Sequence, residues 1–128
     1  MDRLPTTVVT VIPHSSQQYD TAGDYVEVND CWHVYISKLE KWQYEALVFL
    51  HEFVEMCLTK NNGVDWKDID YFDKEGAGKG HPDPGTLRKA PYHKEHMQAL
   101  KIEKLFAKML GVDWNTYDSS FEKLEYKL

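Results

Sequence analysis

Apolar and polar positions change their spacing along the chain, and this change separates a strand-forming first part from a helical remainder. Residues 6–12 are almost all β-branched, which favours a β-strand. Residues 25–28 alternate between apolar and polar side chains, and residues 32–36 form another apolar run after a turn-forming Asn-Asp pair. The pattern therefore predicts a β-rich segment over residues 1–36, with its second and third strands antiparallel.

Two later segments instead repeat apolar residues every three to four positions, as amphipathic helices do. The first covers residues 37–62; Ser37 and Glu40 have the spacing of a capping box, and Gly63 follows the last turn. The second covers residues 91–110, begins with a proline and is also followed by a glycine. We expect two long helices here.

The remaining segments are shorter or irregular. Residues 64–90 predict a short helix or turn over 66–72 and then an irregular loop over 76–89, which is either a flexible surface loop or a lid over a site. Residues 115–128 predict a short terminal helix. The expected fold is a single α+β domain over residues 1–128, with a small, mostly antiparallel three-stranded sheet packed on two long helices.

The first long helix carries the sequence H-E-x-x-E. Residues at positions i and i+4 lie on one helix face, so His51 and Glu55 could bind the same metal ion while Glu52 stands beside them. A helical wheel predicts that this face lies opposite a core-facing apolar stripe formed by Trp42, Ala46, Phe49, Leu50, Phe53, Val54 and Cys57. Between Trp42 and Thr59 there is no Lys or Arg, so a cation is one way to neutralise the carboxylates; a solvated acidic patch is the other.

The second long helix offers a further His and Glu on its inward face. His96 and Glu103 are seven positions apart and fall beside Ala99 and Ala107, whereas the lysines of this helix group on another face. Burying an unpaired His or Glu is costly, so both need partners. They either complete a metal site with the first helix or form a polar pair of their own.

A four-residue sequence occurs twice, directly after each long helix. Gly63-Val64-Asp65-Trp66 and Gly111-Val112-Asp113-Trp114 are identical. We interpret each copy as a helix stop followed by a helix start: a left-handed glycine, an apolar contact, and an aspartate that caps the next turn.

Composition narrows the class of protein. The 128 residues are 42% hydrophobic, which suffices for a core, and the net charge of −6 argues against binding to nucleic acid. Apolar runs are too short to span a membrane, and no secretory signal is visible. The two cysteines form no C-x-x-C pair, which is typical of free thiols in a reducing compartment, so we expect a cytoplasmic protein. Nothing indicates the oligomeric state.

The order of strands, H-E-x-x-E helix, loop and second helix resembles compact zincin-like metallopeptidases of bacteria and mobile elements. The similarity is carried by residues 34–37 and 46–55; residues 19–24, 90–96 and 111–114 also resemble short uncharacterised proteins of phage and prophage genomes. The resemblance implies expression in a bacterial or phage-infected host cell. It matches His51 and Glu55 to the two helix ligands and Glu52 to the general base. The chain departs from the usual motif because Glu55 replaces the second histidine.

The resemblance does not fix a third ligand. We choose His96, with His93 in reserve and with Glu103 either supporting a ligand or replacing one. The leading hypothesis is a zinc hydrolase, although another divalent metal could serve, in which Glu52 takes a proton from metal-activated water that attacks a peptide or protein substrate. One alternative is a structural metal site or buried polar network in a non-catalytic protein that binds another protein. A further option is iron held by two His and one carboxylate.

Overall fold

A mixed sheet of three strands forms one layer of the fold. The computed structural model describes residues 3–126, in which the strands are β1 (Thr7–Ile12), β2 (Gly23–Val28) and β3 (Cys31–Ser37). β3 lies in the centre; β2 pairs with it antiparallel, as predicted, and β1 pairs with it parallel on the other edge. The predicted α+β class is confirmed.

Four α-helices follow the sheet within residues 3–126: α1 (Trp42–Asn61), α2 (Trp66–Lys74), α3 (His93–Met109) and α4 (Trp114–Ser120). Short 3-10 helices cover His14–Ser16, Pro84–Thr86 and Phe121–Lys123. The short helix predicted between the long helices is confirmed as α2. A short terminal helix was predicted within residues 115–128, around Phe121, Leu124 and Tyr126. The structure has a helix in this segment, α4, but it ends at Ser120; a 3-10 helix covers Phe121, whereas Leu124 and Tyr126 are not helical. The last two residues of the segment lie outside the described part of the chain.

The capping box predicted at residue 37 is also wrong. Ser37 is the last residue of β3 and pairs with Ile12, and its buried hydroxyl lies 2.8 Å from Nδ1 of His14. α1 begins only at Trp42, and its N-cap residue makes no side-chain hydrogen bond. The carboxylate of Glu40 binds the Lys123 ammonium group at 3.0 Å instead. Ser37, which the sequence pattern assigned to a helix start, therefore ends a strand instead.

The orientation of α1 differs most from the sequence prediction. Its buried residues are Tyr44, Leu47, Val48, His51, Glu55, Met56 and Thr59, so the polar face points into the protein. The predicted core stripe is only half-buried, and Trp42 is 66% exposed. The physical reason is that α1 packs against both the sheet and α3. Its polar side chains find hydrogen-bond partners there, which removes the cost of burying them.

The inward face of α3 agrees with the prediction for its polar residues. His96 and Glu103 are buried, and the small side chains of Ala99 and Ala107 allow α1 to approach closely. The apolar residues of this helix are not all buried, because Ile102 and Met109 are 42% and 74% exposed. The two long helices thus contact each other through buried polar side chains, with alanines beside them.

Both Gly-Val-Asp-Trp copies behave as predicted. Gly63 and Gly111 have φ angles of 72° and 70°, the left-handed conformation that ends a helix at low cost. The valine that follows each glycine donates its backbone N–H to a carbonyl in the last turn, at 2.9 Å. Asp65 and Asp113 then accept backbone N–H groups at the starts of α2 and α4. The repeat is a shared solution for turning the chain between two helices.

Candidate metal centre

Three side chains from the two long helices bring their donor atoms together. Nε2 of His51 and Nδ1 of His96 each lie near Oε2 of Glu55, at 3.1 and 2.9 Å, and the two ring nitrogens are 3.1 Å apart. His51 and His96 are each 7% exposed, and Glu55 is 4% exposed. His51, Glu55 and His96 therefore form a buried group that could hold a metal ion.

The donor triangle is slightly smaller than that of a tetrahedral zinc site. Tetrahedral zinc with bonds of about 2.0–2.2 Å separates neighbouring donor atoms by about 3.3 Å. The three separations in this group, 2.9–3.1 Å, fall only slightly below that value. An ion above the plane of the triangle would reach all three donors with little movement. A close approach of two ring nitrogens is otherwise favourable only when one proton is shared between them.

The outer nitrogen of His51 is held by a carboxylate. Its Nδ1–H donates to Oε1 of Glu103 at 2.6 Å, and the Tyr117 hydroxyl donates to Oε2 of the same carboxylate at 2.6 Å. A metal-bound histidine commonly donates its other ring N–H in this way, which fixes the tautomer and turns the free lone pair towards the metal. Glu103 therefore supports His51 from outside the donor triangle.

The remaining donors also have supporting groups. The Tyr25 hydroxyl donates to Oε1 of Glu55 at 2.9 Å, which leaves Oε2 facing the two rings. The outer nitrogen of His96, Nε2, lies 3.1 Å from Oδ1 of Asp83. This contact is close but poorly aligned, and Nε2 has no aligned hydrogen-bond partner within residues 3–126. Each of the three donor residues thus contacts a polar group outside the triangle.

Hydrogen bonds and charges within the group shift the pKa values of its members. Burial lowers the pKa of His96, but its contacts with Asp83 and Glu55 outweigh burial and raise that pKa to about 9. Burial likewise lowers the pKa of His51, but its hydrogen bonds to Glu103 and Glu55 raise it well above the ordinary value. Burial raises the pKa of Glu55, yet its hydrogen bonds with both histidines lower it to about 2. With no ion bound, these contacts therefore favour protonated histidines and an ionised Glu55.

Glu52, the predicted general base, lies beside the triangle and is not part of it. It lines a cavity of about 80 Å³ together with Glu55 and His96. A Cβ atom at Gly23 would lie 2.8 Å from Oε1 of Glu52, so the glycine lets β2 approach this carboxylate closely. Burial, together with the charge of Glu55, raises the pKa of Glu52 well above its ordinary value.

The cavity is acidic and partly aromatic. Among residues 3–126, no Lys or Arg lines it, whereas Asp24, Asp70 and Asp73 add carboxylates to those of the site. Burial raises the pKa of Asp24 to about 7 and that of Asp73 to about 6. Asp73 accepts hydrogen bonds from two tyrosines, Tyr19 at 3.0 Å and Tyr92 at 2.7 Å. The cavity therefore gathers several carboxyl groups next to the donor triangle.

His93, the reserve candidate for a ligand, does not join the triangle. Its Nδ1 lies 2.9 Å from the carbonyl oxygen of Gly85, so its ring contacts the loop before α3. The sequence prediction missed three supporting residues. Tyr25 and Tyr117 could have been found only as inward-facing positions of β2 and α4, and the irregular segment around Asp83 carries no pattern that points to it.

A second hydrogen-bonded chain, Ser37–His14–Asp20, resembles a nucleophile–base–acid arrangement in residue type. The Ser37 hydroxyl lies 2.8 Å from Nδ1 of His14, and Nε2 of His14 lies 2.7 Å from Oδ1 of Asp20. Ser37 is fully buried and also contacts the Gln17 amide. A substrate cannot reach this hydroxyl, so the chain ties the loop after β1 to the end of β3.

Comparisons with known proteins do not assign this chain to a family. No family model, no curated protein and no solved structure matches this chain. Within residues 3–126, no helix is long and apolar enough to cross a membrane. The relationship to zincin-like peptidases therefore stays a prediction, and what stands is a buried His-Glu-His group that could bind a metal.

Proposed function

We propose that this protein binds a divalent metal ion, zinc in the first instance, through His51, Glu55 and His96, and uses it for hydrolysis. The observation that carries the proposal is the donor triangle, with separations of 2.9–3.1 Å and with a carboxylate next to the outer nitrogen of each ring. Two imidazoles and one carboxylate are a ligand set of catalytic zinc sites that keep one position open.

Glu52 is the residue that we assign to proton transfer. A bound zinc ion would lower the pKa of water to about 7. Glu52 lines the same cavity as Glu55 and His96, so it can accept a proton there. Its raised pKa suits a carboxyl group that holds the proton and then gives it to a leaving amine. The substrate class is a carbonyl compound, with a peptide bond as the first choice.

Metal binding is the experiment that tests this proposal. Protein stripped with a chelator, then offered zinc and dialysed, is expected to retain about one zinc per chain by elemental analysis. The same measurement on protein as purified distinguishes zinc from iron, which also binds two His and one carboxylate. Absence of stoichiometric metal after zinc is offered would overturn the proposal.

Zinc uptake should release protons, which gives a signature of the site itself. His96 has a pKa of about 9, so at pH 7 a metal must displace its proton before it can bind Nδ1. Apparent zinc affinity is therefore expected to rise with pH up to about 9 and to be weaker below. Calorimetry at pH 7 in buffers of different ionisation enthalpy measures the protons released, and a value of zero would contradict the assigned ligands.

Replacement of Glu52 by glutamine separates chemistry from metal binding. Glu52→Gln is expected to keep one zinc and to lower the turnover number by about 10²–10⁴-fold, because the amide cannot accept the proton. Glu75→Gln is the matched control, since Glu75 is exposed and lies outside the cavity lining. Loss of zinc from Glu52→Gln, or turnover equal to that of the control, would show that the role is wrong.

A second candidate is a non-catalytic protein in which the same residues form a structural metal site or a polar network. The small size of the cavity, about 80 Å³, favours it, because this volume does not admit a peptide without movement of the surrounding loops. Bound zinc with no turnover on a panel of peptides, and no effect of Glu52→Gln on the protein's binding to a partner, would support this candidate.

A further inference from the structure

The turn before α3 lies directly against His96. Oδ1 of Asp83 is 3.1 Å from the outer ring nitrogen, Nε2. Gly85 is buried against the ring: a Cβ atom at this position would lie 2.3 Å from Cγ of His96. The turn is tied back to α3 through the contact of 2.9 Å between Nδ1 of His93 and the Gly85 carbonyl. Two residues of the turn therefore contact the ring, and a third side chain holds the turn in place.

The contact of Asp83 with the outer nitrogen of His96 corresponds to the contact of Glu103 with the outer nitrogen of His51. Glu103 accepts the Nδ1–H of His51, which leaves Nε2 as the donor in the triangle. For His96 the roles of the two nitrogens are reversed, because Nδ1 faces Glu55 and Nε2 faces Asp83. A buried ring N–H needs an acceptor, and the carboxylate of Asp83 contacts this one. The Asp83 side chain is 51% exposed, so it is less constrained by neighbouring atoms than the buried His96 ring.

We propose that the Asp83–Gly85 turn positions His96 for metal binding: Asp83 holds the proton on Nε2, so that Nδ1 is the donor, and Gly85 leaves room for the ring. The inference rests on the proposed metal centre and assigns a role to residues outside the donor triangle. It also gives His93 a function other than that of a ligand, because His93 anchors the turn. Asp83 is a positioning residue and does not touch the metal.

The exposure of Asp83 limits the loss of zinc affinity that we expect when its carboxylate is removed. Removing a carboxylate that supports a metal-bound histidine commonly weakens metal affinity 10–100-fold. Glu103 is buried and makes a hydrogen bond of 2.6 Å, so Glu103→Gln is expected at the upper end of that range. Asp83 is half-exposed and poorly aligned, so Asp83→Asn is expected to weaken zinc binding by about tenfold. Gly85→Ala must displace the His96 ring, so it is expected to weaken zinc binding more than either of these substitutions.

Zinc competition with a chromogenic chelator measures these changes in the full-length protein. Asp83→Glu is the rescue variant and is expected to recover part of the tenfold loss. Asp68→Asn is the control, because Asp68 is exposed, carries the same charge and lies outside the cavity lining. Zinc affinity of Asp83→Asn equal to that of the control would overturn the proposal.

Nitrogen NMR of the histidine rings gives a readout that a merely structural role would not change. Above pH 9, where the His96 ring is neutral, metal-free wild-type protein should carry its proton on Nε2, as the zinc-loaded protein should, and Asp83→Asn should shift this tautomer preference in the metal-free protein at the same pH. If wild-type protein binds no zinc, the metal centre fails, but the metal-free tautomer still decides whether Asp83 positions the ring. An unchanged tautomer in Asp83→Asn would then refute the positioning role.

Discussion

Replacement of His51 by alanine is expected to remove stoichiometric zinc and to lower the free energy of unfolding by about 3–5 kcal/mol. His51 contacts Glu103 through one nitrogen and Glu55 through the other, so its loss leaves two buried carboxylates without their cationic partner. If three ligands share an apparent zinc-binding free energy of about 10–16 kcal/mol equally, the loss of one weakens affinity by roughly three-hundredfold to several-thousandfold.

Two measurements separate these effects. Urea unfolding in the presence of a chelator reports the buried charges alone, and zinc titration reports the lost ligand. His33→Ala is the control, because His33 lies on β3, stacks against Tyr35 and is no part of the donor triangle. His51→Ala protein that binds zinc as tightly as His33→Ala protein would show that His51 is no ligand. Unchanged stability in chelator would show that the buried network does not depend on its ring.

Replacement of Leu47 by alanine is expected to lower the free energy of unfolding by about 2–5 kcal/mol, the range for truncating a buried leucine. Leu47 is fully buried in α1, where the lost methyl groups leave a cavity that its neighbours fill only partly. Trp42→Ala removes a larger side chain from the same helix, but Trp42 is 66% exposed. That variant should change stability by no more than about 0.5 kcal/mol.

The pair of variants tests the orientation of α1 directly. Thermal or urea unfolding followed by circular dichroism gives both values, and the helix content of each folded variant serves as the check on structure. The opposite order, with Trp42→Ala the more damaging, would mean that the apolar stripe expected from the helical wheel faces the core. Equal effects would mean that α1 is buried on both sides at its start.

The sequence predicted much of the fold because its local signals were strong. A β-branched run located β1, alternating apolar and polar residues located β2, and an apolar run located β3. The two Gly-Val-Asp-Trp copies located the ends of the long helices. The i,i+4 spacing of His51 and Glu55 placed both on one face, and the inward arc of α3 placed His96 opposite them. The structure brings these three side chains together; their role as metal ligands stays a prediction.

The orientation of α1 could not be read from the sequence for a physical reason. A hydrophobic stripe identifies the buried side of a helix only when the other side faces water. α1 is covered by the sheet and by α3, and partners such as Tyr25 and Glu103 compensate the burial of its polar face. Those partners are 26 residues or more from His51 in sequence, so only the tertiary structure shows them. The contact of Asp83 with His96 depends on an irregular turn and has no local signal either.

The donors of the site come from distant parts of the chain, so metal binding would affect the stability of the folded protein and its abundance in the cell. Glu55 and His96 are 41 residues apart, so an ion bound by both would act as a reversible cross-link between two helices. An ion that binds only the folded chain would, at 100 times its dissociation constant, stabilise the folded state by about 2.7 kcal/mol. The supply of metal in the cell would then govern how often the chain opens to proteases, and through this its abundance.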